Sequence, residues 1–243
     1  MRRWLGWTLS GLGLFLALVL FMAPAELVAA LVARGPLQLN APAGSLWSGS
    51  GGLRADHQEL GALNWQFVPR GLLRGRIALD VQLDGPSVHL AGRLEIGVLS
   101  WSVADMNGVV GNALLTRAAS HYDVALQGDL TLRTFSISAT RAGLDQANGT
   151  LAWPGGHVAY VLNGQSYAAD TGPLRGRVST WGNRLRLDVE APPMNSRALR
   201  FTLGVDGWGS AAVTRQFMTS VGFPWQGNAA PTEFVLEVEE KLF

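Results

Sequence analysis

The sequence predicts a mainly β protein: a single N-terminal transmembrane helix, then a curved antiparallel β-sheet, half-barrel or sandwich-like, with signs of two repeated halves. Three observations predict it. Residues 4–23 carry no charged side chain, apolar and polar residues alternate along much of the chain beyond them, and Gly-containing turn dipeptides separate the alternating runs. Composition removes other classes. With 48% hydrophobic residues, 15% charged residues and a net charge of +1, the chain lacks the low hydrophobicity and high net charge of disorder. The absence of cysteine excludes a disulfide framework and thiolate zinc ligation. A near-balanced charge argues against nucleic acid as a partner.

The twenty residues 4–23 match the length that an α-helix needs to span a hydrocarbon core of about 30 Å. Arg2 and Arg3 precede the run, so the positive-inside rule keeps residues 1–3 in the cytoplasm and sends the rest outward. In a Gram-negative cell that compartment is the periplasm. A cleaved signal peptide is the competing reading, since Ala23-Pro24-Ala25 fits an A-x-A site. The run exceeds the usual ~7–15-residue signal core, and apolar sequence continues through a membrane-proximal segment, 24–36, which favours the anchor. Gly6, Ser10, Gly13 and Ala17 fall on one stripe of this helix. Small residues let helices approach closely in lipid, so they are helix-packing candidates.

Residues 37–243 read as one all-β domain. Ile77, Leu79, Val81 and Leu83 alternate with Asp80, Gln82 and Asp84. Further series run through Val88–Val98, Val124–Leu132, Leu185–Val189 and Phe234–Val238. Period-2 alternation marks strands with one buried and one wet face. Asp84-Gly85, Asn107-Gly108, Asn148-Gly149, Asn163-Gly164 and Asp206-Gly207 are read as tight turns. One short helix is expected near Thr214–Ser220. GSLWSG at 44–49 resembles GTLAWPGG at 149–156, and GLLRGRI at 71–77 resembles GPLRGRV at 172–178. These pairs suggest halves of 37–140 and 141–243, stacked or continued into one sheet.

No nucleophile elbow, Walker loop or H-E-x-x-H occurs. The Gly-rich run at 48–52 lacks the lysine and following helix of a phosphate cradle and reads as a flexible turn. His57, His89, His121 and His157 lie far apart, in polar surroundings or on a wet strand face, so solvation explains them better than a metal. The sequence therefore offers no candidate catalytic, cofactor-binding or metal-ligating residue. Trp47, Trp65, Trp101 and Trp153 stand in apolar strand contexts, where a large ring usually serves the core.

Gly44-Ser45-Leu46-Trp47-Ser48-Gly49, then Leu63-Asn64-Trp65-Gln66-Phe67 and the run PRGLLRGRIALD from Pro69 to Asp80, resemble protein N of the bacterial type II secretion system. Gly44, Leu46, Trp47, Gly49, Trp65, Pro69 and Gly75 carry the motif as structural positions. Ser45 stands for the usual Thr and Phe67 for the usual Leu, and the terminal glycine common in the family is absent. The resemblance implies a bitopic protein of the cell inner membrane with a periplasmic β domain and no catalytic residues. Its partners would be other inner-membrane components of the machine that exports folded proteins across the outer membrane, and self-association is compatible with it. Two alternatives stand beside it. An unusually apolar concave face would favour a periplasm-facing lipid- or glycolipid-binding module, and a mature N-terminus at Glu26 would favour a secreted hydrolase.

Overall fold

The structure is a computed structural model describing residues 24–32, 37–55, 58–120, 122–162, 164–192, 196–223 and 225–241. Helix α1 (Glu26–Val32) leads into β1 (Leu37–Gly44), β2 (Ser48–Ala55) and β3 (Gln58–Val68). A 3-10 helix, Pro69–Arg74, precedes β4 (Ile77–Gly85), β5 (Val88–Ile96) and β6 (Ser100–Val110). Helix α2 (Asn112–Ser120) and β7 (Val124–Leu126) follow, then β8 (Leu130–Thr140), β9 (Gly143–Trp153), β10 (Gly156–Leu162) and β11 (Gln165–Thr171). The chain continues through β12 (Leu174–Trp181), β13 (Arg184–Ala191), β14 (Ser196–Gly204), β15 (Trp208–Thr214), α3 (Arg215–Ser220) and β16 (Phe234–Lys241).

Thirteen strands form one open antiparallel sheet in the order β1-β2-β3-β4-β5-β6-β8-β9-β12-β13-β14-β15-β16. The expected alternation sets its register. Asp80 lies opposite Arg93 and Asp84 opposite His89, so the polar face carries cross-strand pairs at 2.7 and 3.2 Å. Slipping either strand by one residue would exchange the two faces. The β8–β9 hairpin pairs Thr140 with Gly143, so the boundary expected at 140/141 falls in a turn within one continuous sheet.

Three strands leave that sheet. β7, β10 and β11 form a second sheet in the order β11-β10-β7. The series Val124–Leu132, expected as one strand, is therefore divided between β7 and β8. The break is at Gly128, whose φ of +95° is costly for residues with a Cβ. The Trp153 indole N–H donates to the Gln127 carbonyl at 2.9 Å and fixes the corner.

Other expectations need correction. Asn107-Gly108 and Asn148-Gly149 lie inside β6 and β9 and are not turns. The Asn107 side chain instead repairs an irregular stretch: it donates to the Asp105 carbonyl and accepts from the Thr134 N–H at 2.8 Å. Asp206-Gly207 does make a turn, and the helix expected at 214–220 is α3. Helix α2 was not expected. No helix among the described residues is long and apolar enough to cross a membrane. The expected span 4–23, with Gly6, Ser10, Gly13 and Ala17, lies outside the described residues, as do His57 and His121.

Candidate functional site

Two places stand out, an apolar groove and the corner built by the sequence motif. The groove lies between the large sheet and the layer made by β7, β10, α2 and α3. Register aligns its floor: Leu151 opposes Gly176, which opposes Val189, followed by Leu199, Val213 and Leu236 on successive strands. One step along the strands, Leu187, Phe201 and Val238 continue the apolar floor. Val124, Val158 and Tyr160 face them from the small sheet, and Met218 and Val221 close one end. The space measures about 590 Å³, and none of its 23 lining residues is charged.

One of its hydroxyl groups, that of Tyr160, is turned to the protein. The Tyr160 hydroxyl donates to the Val221 carbonyl at 3.2 Å, and burial pushes its pKa above the ordinary value, with a smaller contribution from Tyr167. At the other end Tyr122, Val161, Phe201 and Val238 are exposed and form two apolar lips. Such a space, within the ~300–1,000 Å³ of small-molecule sites, suits an uncharged chain. A peptide would bring backbone N–H and C=O groups that the lining cannot satisfy.

The motif builds the first corner of the sheet. Ser45 Oγ accepts the N–H groups of Trp47 and Ser48, both at 3.2 Å, and holds the β1–β2 turn. The Ser45 carbonyl then accepts the Trp65 indole N–H at 3.1 Å. Trp65 is 4% exposed and packs with Leu39 and Ala25. Gly49 faces this ring: a Cβ there would meet Trp65 Cζ2 at 2.6 Å. Trp47 is half-buried and meets Phe67 edge-on at 4.7 Å, while Leu46 is partly buried beside it in the turn. Pro69 opens the 3-10 helix and Gly75 closes it in the left-handed region at φ 67°. Pro24 forms a bridge with Ser45, so the chain that follows residues 4–23 is fastened to this turn.

A family model for protein N of the type II secretion system matches residues 35–231. The chain belongs to that family. No curated protein and no solved structure matches it.

In this member of the protein N family, Gly44, Leu46, Trp47, Gly49 and Trp65 come together at one corner, while Pro69 and Gly75 bracket the next connection. The second half diverges: Gly149–Trp153 is continuous strand, whereas Gly44–Gly49 ends β1, turns at Ser45–Trp47 and opens β2. Of the tryptophans expected in the core, Trp65 and Trp153 are buried and Trp47 partly so, but Trp101 is 45% exposed. His89 and His157 pair with Asp84 and Asp170. Among the described residues no three His, Asp or Glu side chains are grouped to hold a metal. The groove residues were not identified from sequence. Their alternation showed that one face was apolar, but not that three strands would leave the sheet to cover it.

Proposed function

We propose that the chain is a non-enzymatic accessory of the type II secretion system in the cell inner membrane. It would cross once through residues 4–23, keep its N-terminus in the cytoplasm and hold the β domain in the periplasm. There it would act with other inner-membrane components in moving folded proteins across the outer membrane, as a monomer or with further copies of itself. The family match over 35–231 carries this reading. The Pro24–Ser45 bridge and the packing of Ala25 on Trp65 support it, because a tether pinned to the sheet transmits position as well as retention. The non-enzymatic reading is supported by carboxylates engaged by arginine, as in Asp80–Arg93 and Glu95–Arg76.

The test joins topology to partners. A C-terminal alkaline phosphatase fusion should be active and sediment with inner membranes, and crosslinking in intact cells should recover secretion components. A soluble, shortened product, or crosslinks lacking every secretion component, would contradict the proposal.

One observation favours a second reading, a lipid- or glycolipid-binding module: the uncharged groove. Lipid co-purifying with the full chain should be lost when Leu199→Trp fills the floor. Equal lipid in both proteins would contradict that reading.

A further inference from the structure

The antiparallel register gathers four connections at one end of the sheet: the β1–β2 turn at Ser45, the 3-10 segment after Pro69, the β5–β6 turn at Gly97–Leu99 and the β8–β9 turn at Arg141. The Arg141 N–H donating to the Leu99 carbonyl at 3.2 Å ties two of them together. This end is unusually apolar. Leu73 is 90% exposed and Val98 88%, with Leu72, Leu99 and Trp101 also exposed beside them. Large exposed apolar patches on a folded protein mark surfaces that something covers. The same edge continues to Trp181 and Trp208, both exposed at strand ends. The groove's lips at Phe201 and Val238 lie toward that end as well.

Cations stand among these apolar groups. Arg70 and Arg74 flank Leu72-Leu73 on the 3-10 helix and, with Arg76 and Arg93, line a hollow of about 260 Å³. Arg76 and Arg93 are engaged by Glu95 and Asp80, whereas Arg70 and Arg74 make no ion pair among the described residues. Exposed Leu and Val, interfacial Trp, and arginines without counter-charge are what a bilayer surface with anionic headgroups satisfies together. Location agrees. The expected span ends at residue 23, and Pro24 is bridged to Ser45 at this same end.

We infer that this end of the sheet, led by Leu72-Leu73 and Val98-Leu99, rests in the surface of the membrane, with Arg70 and Arg74 on anionic headgroup phosphates. The inference rests on the anchored reading given under the proposed function. It adds that the domain is held flat against the bilayer, with the groove opening toward it, instead of swinging free on a tether.

The chain has no cysteine, so single-site labelling is clean. Full-length Leu73→Cys and Val98→Cys proteins, each carrying an environment-sensitive fluorophore, would be reconstituted into vesicles of phosphatidylethanolamine and phosphatidylglycerol. Glu59→Cys, at the opposite end of β3, is the control. Both test probes should be quenched by spin-labelled lipid and shielded from iodide, and the control should show the reverse. Arg70→Glu with Arg74→Glu, or vesicles of phosphatidylcholine alone, should return the test probes toward the control. Several results would overturn the inference. If the chain floats with vesicles but the test probes stay open to iodide, the inference fails and the anchor stands. Shielding without lipid quenching would assign the patch to a second copy. A chain that does not float removes the anchor and this inference with it.

Discussion

Gly49 and Trp65 show how one residue depends on another. The ring of Trp65 lies where a side chain at 49 would stand, so Gly49→Ala must displace the indole or the facing strand. Overpacking of this kind costs about 1–3 kcal/mol, and Trp65→Ala, which empties the corner, about 3–5 kcal/mol. Gly172→Ala is the control, since nothing lies within 4 Å of the added carbon. Melting temperatures should rank control above Gly49→Ala above Trp65→Ala, with half-buried Trp47→Ala milder than Trp65→Ala. An unchanged Trp65→Ala melt would contradict the packing account. Thr171 offers a change of opposite sign. Its hydroxyl oxygen is buried beside the groove without a hydrogen-bond partner among the described residues. An unsatisfied buried polar group costs about 1–3 kcal/mol, so the near-isosteric Thr171→Val should raise the melting temperature. A lower value would reveal a partner for that hydroxyl.

Among the elements, the β13–β14 pair carries a charge clamp outside the groove. Asp188 receives hydrogen bonds from Arg186 and Arg200, each at 3.0 Å, and Arg200 sits over the Phe234 ring of β16 at 4.7 Å. Burial raises the Asp188 pKa, but the two arginines outweigh burial and leave it below the ordinary carboxylate value. A carboxylate depressed in the folded state contributes stability that is present above its unfolded pKa and lost as pH falls through the folded value. The melting difference between the parent and Asp188→Asn should therefore be full near neutrality and shrink below about pH 4. A difference independent of pH would mean that the clamp acts by shape alone. The expected membrane helix makes its own demand. If the stripe through Gly6, Ser10, Gly13 and Ala17 packs on another helix, Gly6→Leu with Gly13→Leu should preserve membrane levels and weaken crosslinking through the helix. Undiminished crosslinking would leave partner choice to the β domain.

At the scale of the whole molecule, alternation at Ile77–Leu83 and Leu185–Val189 made the large sheet legible, because wet and dry faces impose a period of two on the chain. The motif corner was legible as well, since a Gly-bounded turn followed by an apolar strand is local. The second layer was not. Whether Val124–Leu132 continues as one strand or breaks at Gly128 depends on what Trp153 does 25 residues later, and β10 reads like any other strand until its neighbours are known. The groove therefore escaped the sequence although its residues did not. The exposed end escaped for a similar reason: nothing local to Leu72-Leu73 signals exposure until the 3-10 turn places both outside. Together these features describe a sheet fastened at its first corner, with an apolar strand end and an uncharged groove, in a member of the protein N family of the type II secretion system. The direct test is secretion itself. In a strain that exports a folded enzyme by this system, deleting the gene should leave that enzyme in the periplasm, and the full chain should restore export. Undiminished export after deletion, in a strain where loss of another component blocks it, would contradict the account.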